Sequence, residues 1–244
     1  MIKNRFLLTL IPSLALGLLM QPANLQADFI RGTGGGPPAG FTCGTSTVDG
    51  VGGITYGTVV GEDGNCWLDR NLGSPQVATA SNDSDAYGYY YQWGRLSDGH
   101  QIDTSGTTTT LSTTDIPGHG DFITPPANPY DWRDPGNNEL WQGVSGINNP
   151  CPSGFRLPTK TEWDAYITAA NIIDQETAYT SNLKITATGR RQYDGVFDRR
   201  GSRGYYWSSD ILGGENSWYL NVAAVVETSY WYRGYGNTVR CIRD

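Results

Sequence analysis

Histidines, the commonest general bases, are few in this sequence. Its two histidines, His100 and His119, each follow a glycine, and no Gly-x-Ser-x-Gly motif supplies a nucleophile. A hydrolytic triad needs a base beside a nucleophile and a third residue that orients the base. No such set stands out, so we predict no catalytic residue and expect both histidines to make local hydrogen bonds.

The 24 acidic residues suggest two further chemistries, glycoside hydrolysis and calcium binding. A glycosidase needs two opposed carboxylates, and the sequence contains many possible pairs without selecting one. Calcium binding needs clustered carboxylate and amide oxygens, which segments 82–85 and 194–198 contain. Such clusters are more often solvated turns. We therefore predict no metal or cofactor, with a structural calcium ion as the alternative.

The segment between residues 205 and 237 is rich in Tyr, Trp, Arg and Asn. Its string Ser229-Tyr-Trp-Tyr-Arg-Gly-Tyr-Gly-Asn237 is too aromatic, and too often broken by glycine, for an ordinary core strand. Tyrosine offers a large contact area, few rotatable bonds and a hydrogen-bonding hydroxyl, a combination typical of binding surfaces. The alternative is a strand pair whose aromatic rings only pack on each other. The predicted ligand-binding residues are Tyr205, Asn216, Tyr219, Asn221, Tyr230, Tyr232, Arg233, Tyr235 and Asn237.

The N-terminus has the order of a cleavable secretion signal. Lys3 and Arg5 precede an uncharged apolar run, residues 6–20, and a polar stretch that ends at Ala27. The run is short for a membrane span, although an uncleaved anchor is the alternative. We predict a signal peptide over residues 1–27, a Gly/Pro linker over 28–40, and one domain over 41–244 with no membrane span. The protein is then exported to the periplasm, the cell surface or the medium.

The charge balance argues against nucleic acid as a partner. The chain carries a net charge of −7. The predicted signal holds two of the 17 basic and none of the 24 acidic residues, so its removal leaves −9. An acidic protein of this kind is not built to hold a phosphate backbone by charge.

Four cysteines, at positions 43, 66, 151 and 241, bear on both redox state and metal binding. An even number in an exported chain indicates disulfides, and four cysteines allow three pairings. A zinc site would need closely spaced Cys or His pairs, and the sequence has none. Two disulfides are therefore the prediction, with the pairing open at this point.

One helix can be predicted from the sequence. Thr159 and Glu162 form a capping box after Pro158, and apolar residues follow at helical spacing, so we predict a helix over residues 159–172. Strands are predicted over residues 54–60, 65–68, 183–188, 204–208, 217–226 and 238–243. Residues 98–150 show almost no periodicity but contain Trp132 and Trp141, which favours an ordered layer packed on the core.

Several strings, taken together and in order, resemble the Fibrobacter succinogenes major paralogous domain family over roughly residues 41–244. They are Cys66-Trp-Leu-Asp-Arg-Asn71, Tyr91-Gln-Trp-Gly-Arg-Leu-Ser-Asp-Gly-His100, Asn149-Pro-Cys-Pro-Ser-Gly-Phe-Arg-Leu-Pro-Thr159, Gly204-Tyr-Tyr-Trp-Ser-Ser209, Trp218-Tyr-Leu220 and Thr238-Val-Arg-Cys-Ile-Arg243.

That resemblance implies an α+β, C-type-lectin-like fold with short twisted antiparallel strands, one main helix and long ordered loops. Formylglycine-generating enzymes and the variable proteins of diversity-generating retroelements are thought to share this fold. The enzymes use a reactive cysteine pair that holds copper, and the cysteines here are better assigned to bridges. The sugar-binding motifs Glu-Pro-Asn and Gln-Pro-Asp of C-type lectins are missing from this sequence.

Within that fold, the cysteine before the helix and the cysteine in the last strand suit a Cys151–Cys241 bridge. Its loop of about 90 residues would stabilise the fold by about 4 to 5 kcal/mol in the chain-entropy model. Cys43–Cys66 would then close the N-terminal hairpin. We expect an exported, non-enzymatic binding module for a protein or glycan ligand. The alternatives are an exported enzyme that acts on polysaccharide and a structural cell-surface protein.

Overall fold

The structure is a computed structural model that describes residues 40–244. These residues belong to one compact unit of the chain. The predicted signal peptide, residues 1–27, and the predicted linker up to residue 39 lie outside the described residues. No helix among the described residues is long and apolar enough to cross a membrane.

Short strands joined by long irregular segments make up most of this region. In chain order the strands are β1 (Val48–Asp49), β2 (Thr55–Tyr56), β3 (Thr58–Val60), β4 (Cys66–Leu68), β5 (Tyr91–Gln92), β6 (Thr107–Thr108), β7 (Phe122–Ile123), β8 (Phe155–Arg156), β9 (Arg190–Arg191), β10 (Phe197–Asp198), β11 (Gly204–Gly213), β12 (Asn216–Val222), β13 (Val226–Tyr232), β14 (Gly236–Asn237) and β15 (Ile242–Arg243). Within residues 40–244 the α-helices are α1 (Lys160–Ala169) and α2 (Gln175–Thr180). The predicted mixed α+β class is confirmed, and the C-type-lectin-like arrangement stays a prediction.

Strand pairing is antiparallel except in the small β6–β7 pair. Strands β11, β12 and β13 form a three-stranded sheet in that order, and two four-stranded sheets have the orders β3-β4-β15-β8 and β10-β9-β14-β5. The C-terminal strand β15 therefore lies between strands from the first and the middle parts of the chain. This arrangement closes the domain.

Helix α1 begins at the predicted capping box. The Thr159 side chain accepts a hydrogen bond from the Glu162 amide, and the Glu162 carboxylate accepts one from the Thr159 amide. The helix covers one face of the β11–β12–β13 sheet, where Trp163 packs against Tyr206 with ring centroids 6.1 Å apart. The other face of the sheet contributes Trp207 and neighbouring aromatic residues to the main core.

Two strand predictions are wrong in instructive ways. Residues 183–188 form no strand, although Leu183 and Ile185 are fully buried. Backbone amides in this segment donate to acceptors in different parts of the chain instead of to one neighbouring strand. The Ile185 amide donates to the Ala178 carbonyl and the Thr186 amide to the Tyr206 hydroxyl. The predicted single strand over 217–226 is also not one strand. It covers most of β12, the connecting residues 223–225 and the first residue of β13, so it belongs to a hairpin. Helix α2 was not predicted.

Tryptophan indoles hold the irregular segments together. Six tryptophans are buried: Trp67, Trp93, Trp132, Trp141, Trp163 and Trp207. Several donate their indole N–H to a backbone carbonyl in a distant segment, as Trp93 does to Ser208 at 2.9 Å and Trp132 to Trp93 at 2.7 Å. Residues 98–150 are thus an ordered layer on the core, as predicted.

Both disulfides join the predicted pairs. Cys43 bonds to Cys66, and Cys151 bonds to Cys241, across sequence separations of 23 and 90 residues. No cysteine in the described part of the chain is free. Because Cys241 directly precedes β15, the longer bridge ties the end of the chain to the segment before α1.

A buried amide links four segments beside that bridge. The Asn71 side-chain oxygen accepts two hydrogen bonds from the Arg240 guanidinium, at 3.0 and 2.8 Å, and the third guanidinium nitrogen donates to the Leu68 carbonyl. The Asn71 amide nitrogen donates to the Ala86 carbonyl at 3.0 Å and also reaches the Tyr206 hydroxyl. Burial lowers the pKa of Arg240, and the attraction of nearby Tyr206 and Asp69 only partly offsets this effect.

The Asn71→Ala substitution tests this link. We expect it to lower the free energy of unfolding by on the order of 3 kcal/mol, because the Arg240 guanidinium would lose its main acceptor in a buried place. Urea unfolding followed by fluorescence measures the change. Asn65→Ala, at an exposed position, is the control and should change stability by less than about 1 kcal/mol. Equal effects of the two substitutions would contradict the assignment.

Candidate functional site

Aromatic side chains from three separate segments meet at one place on the domain. Tyr130 comes from the irregular layer, Tyr193 from the turn between β9 and β10, and the others from the end of β13 and the turn after it. We call this set the aromatic surface; its members are Tyr130, Tyr193, Trp231, Tyr232 and Tyr235.

The five rings form a continuous chain of contacts. Tyr130 and Tyr193 stack with centroids 4.0 Å apart, and Tyr130 also meets the edge of Tyr232 at 5.3 Å. Tyr235 contacts Tyr193 at 5.4 Å and Trp231 at 6.1 Å. Trp231 is 41% exposed, whereas Tyr235 is only 5% exposed. The surface therefore has a buried base, Tyr235, with more accessible rings around it.

The Arg190 side chain packs against the ring of Tyr235. Its guanidinium lies between the rings of Tyr205 and Tyr235, at 4.7 and 4.8 Å from their centroids. Asp198 is 3.6 Å from one of its terminal nitrogens. A cation–π contact is worth about 0.5–2 kcal/mol, depending on how far the cation is removed from water, and Arg190 is partly buried. Its two contacts therefore help to fix both rings in place.

A strained backbone holds Tyr130 against the end of the sheet. Tyr130 has a left-handed φ of 53°, which costs a residue other than glycine on the order of 1 kcal/mol. Its carbonyl accepts a 2.7 Å hydrogen bond from the Gly234 amide. A Cβ at Gly234 would lie 2.3 Å from that carbonyl oxygen, so only glycine allows this approach. Gly234 thereby lets the irregular layer and the β13–β14 turn meet.

The five tyrosines among the nine predicted ligand-binding residues lie in three places. Tyr232 and Tyr235 lie in the aromatic surface. Tyr205 and Tyr219 are buried beneath it, with ring centroids 5.7 Å apart. Tyr230, 47% exposed, contacts Trp218 on the opposite, helix-covered face of the sheet.

The remaining predicted residues are polar and mostly enclosed. Arg233 and Asn237 are 1% and 2% exposed, so neither side chain presents itself to a ligand. Asn216 and Asn221 are partly exposed on β12. The Oδ1 atoms of Asn221 and Asn237 are buried without a hydrogen-bond partner among residues 40–244. Two of the nine predicted residues thus belong to the aromatic surface, and the sequence prediction overstated how many of the nine face outward.

Four residues of the site were not among the nine predicted: Trp231, which lies within the aromatic string, and Tyr130, Tyr193 and Arg190. Tyr130, Tyr193 and Arg190 come from segments whose approach to β13 depends on the fold, not on local sequence. The only signal was composition: Tyr193 follows two arginines and a glutamine in a segment flanked by glycines, which favours a turn rather than a core strand.

Arg233 belongs to a buried polar cluster just behind the aromatic surface. Its guanidinium lies 4.5 Å from the Trp93 ring centroid, donates to the Asn138 side chain at 2.7 Å and stands 3.8 Å from the Asp131 carboxylate. Burial raises the pKa of Asp131 to about 6 and lowers that of Arg233. Desolvation therefore outweighs the attraction between these two charges, and nearby Glu215 further disfavours ionised Asp131.

The histidines are placed as expected for local roles. His100 is fully buried, its Nδ1 lies 2.6 Å from the Asp98 carboxylate, and its Nε2 accepts a hydrogen bond from the Gln92 amide. Burial lowers the pKa of His100 to about 4, so it is neutral at physiological pH. His119 is more exposed, and its Nδ1 accepts a hydrogen bond from the Asp121 amide.

The acidic segments considered for calcium form hydrogen-bonded turns. The Asp83 carboxylate accepts bonds from the Thr79 amide, the Thr79 hydroxyl and the Gln76 side chain. Asp194 accepts a bond from the Val196 amide. In residues 40–244 no group of three or more His, Cys, Asp or Glu side chains is placed to hold a metal ion.

The buried Asp131 predicts a specific pH dependence. The folded state holds the Asp131 proton more tightly than the unfolded chain, so its contribution stabilises the fold below about pH 4 and is lost as pH rises towards 6. Between pH 4 and 7, the free energy of unfolding of Asp131→Asn should rise relative to wild type by on the order of 2 kcal/mol. Urea unfolding across this range measures it. Asp85→Asn, at an exposed position, should show a flat difference, and a flat difference for Asp131→Asn would refute the prediction.

Comparison with known proteins supplies no relative. No protein-family model, curated protein or solved structure matches the chain. The family resemblance drawn from the sequence strings, and the C-type-lectin-like fold that it implies, therefore stay predictions.

Proposed function

We propose that the protein is an exported, non-enzymatic binding module that takes a protein or glycan ligand on the aromatic surface. The observation that carries the proposal is the continuous contact of five aromatic side chains from three segments, whose buried base, Tyr235, packs on Arg190. If the aromatic side chains served only to pack two strands against each other, all of them would come from those two strands. Here the irregular layer contributes Tyr130, with a strained backbone, to the same surface.

The surface is suited to binding because its rings are already ordered. Each ring contacts at least one other, so little side-chain entropy remains to be lost when a ligand docks. Tyrosine and tryptophan present both an apolar face and a hydrogen-bonding group, which suits either a sugar ring or a peptide surface. Proteins bind through such rigid aromatic anchors more than through flexible charged side chains.

The sequence resemblance supports the same reading. In the variable proteins of diversity-generating retroelements, which the family resembles, the diversified positions lie near the C-terminus. We propose the fold and the binding role together on this basis.

Two alternatives make different predictions. An exported enzyme that acts on polysaccharide would release reducing ends from its substrate. A structural cell-surface protein would use the aromatic rings only for packing, so their truncation would lower stability without changing any binding. Assays of reducing ends and of stability, run beside the binding assay, separate these readings.

Trp231→Ala and Tyr193→Ala test the proposed surface. Fluorescently labelled mature protein would be applied to an array of immobilised polysaccharides and to intact bacterial cells, with and without protease treatment of the cells. For the probe that wild type binds, we expect each substitution to weaken binding about tenfold or more, as truncation of a central aromatic anchor does. Loss of cell binding after protease treatment would indicate a protein ligand, and its persistence a glycan.

Tyr230→Ala is the matched control. Tyr230 is adjacent to Trp231 in the same strand and similarly exposed, at 47% against 41%, but contacts Trp218 on the opposite face. Its truncation should leave the affinity within about twofold. The aromatic surface is the wrong site if Tyr230→Ala weakens binding as much as Trp231→Ala, or if Trp231→Ala binds unchanged.

A further inference from the structure

Strand β13 forms one edge of the three-stranded sheet. The sheet has the order β11-β12-β13, and in the described part of the chain no strand pairs with the outer side of β13. Apart from its ladder with β12, the backbone groups of residues 226–231 make no hydrogen bond within residues 40–244. None of the seven residues of β13 is buried, and Glu227, Tyr230 and Trp231 are exposed. The outer edge of the strand is therefore open.

This edge lacks the features that usually protect a sheet edge. Natural edge strands are blunted by prolines, bulges, inward charges or short length. Strand β13 has seven residues, contains neither proline nor glycine, and carries Glu227 as its single charge. Its register with β12 runs unbroken from Tyr232 to Val226, whereas the β11–β12 register shifts twice. A regular, nearly uncharged strand of this length is a template for another strand.

The residue pattern of β13 allows two copies of the strand to pair with each other in antiparallel orientation. Ser229 is the middle residue, so full-length pairing about a two-fold axis places Ser229 opposite its own copy. Glu227 then faces Trp231 of the second copy, and Val226 faces Tyr232 of the second copy. The one charged residue never meets its own copy, and no like charges are opposed. A two-fold axis repeats each favourable pair.

We propose that β13 pairs antiparallel with β13 of a second copy of this chain, which joins the two three-stranded sheets into one six-stranded sheet. The two-fold axis is perpendicular to the sheet, so both aromatic surfaces, which include Trp231, lie on the same side of the joined sheet. The pair would then present two ligand sites together. This pairing does not depend on the proposed ligand function.

Light scattering after size exclusion, over about a hundredfold range of protein concentration, tests the pairing. We expect mature wild-type protein to have the mass of a dimer at the high end. Ser229→Lys should raise the dimer dissociation constant at least tenfold, because two lysines would face each other at the axis. Glu227→Lys is the control: it changes the net charge by more, but its lysine faces Trp231 of the second copy, so the dimer should persist.

A second measurement separates lost pairing from lost folding. In hydrogen exchange, amides of residues 226–232 should become more protected with increasing concentration in wild type and in Glu227→Lys. In Ser229→Lys the protection of these amides should no longer depend on concentration, while the amides of β11 keep their wild-type protection. A wild-type protein that is monomeric at every concentration, a Ser229→Lys variant that still dimerises, or equal dissociation in Glu227→Lys would overturn the proposal.

Discussion

The need to hydrogen-bond buried backbone in a largely irregular chain governs the rest of this structure. A buried carbonyl without a donor costs a substantial part of the fold's net stability, and most of the strands here are only two or three residues long. Indole N–H groups donate some of the hydrogen bonds to backbone carbonyls that a neighbouring strand would donate in a sheet. Trp207, for example, donates to the Tyr91 carbonyl at 2.7 Å. The Asn71 side chain does the same between its neighbouring segments. The tryptophans are thus both the apolar core and its internal donors.

This constraint explains what could be predicted from the sequence. Local signals were reliable: the capping box at Thr159 and Glu162 starts a helix, and the disulfide pairs follow from the placement of cysteines in the family strings. The presence of Trp132 and Trp141 in residues 98–150 favoured an ordered layer, and both side chains are buried in the structure. Where the backbone bonds to side chains instead of strands, alternation of apolar residues was misleading, and 183–188 was wrongly predicted as a strand.

The site was predictable in part, for a related reason. Tyr232 and Tyr235 are where the aromatic string led us to expect them, but Arg233 between them turns inward to Trp93 and Asp131. Composition cannot distinguish an arginine that contacts a ligand from one that fills the core. The contributions of Tyr130 and Tyr193 depend on contacts between segments far apart in sequence, which a single sequence does not encode in any readable pattern.

The close approach at Gly234 separates two kinds of position in the same short segment. Any side chain at Gly234 would collide with the Tyr130 carbonyl, so this residue is fixed by the backbone. Trp231, by contrast, carries a ring that is 41% exposed. Mutation can therefore change what the surface presents without changing its shape, provided that the glycine is kept. Gly234 thus fixes the backbone of the turn, while exposed side chains such as Trp231 can be replaced. Evolution could therefore change the specificity of the surface one residue at a time.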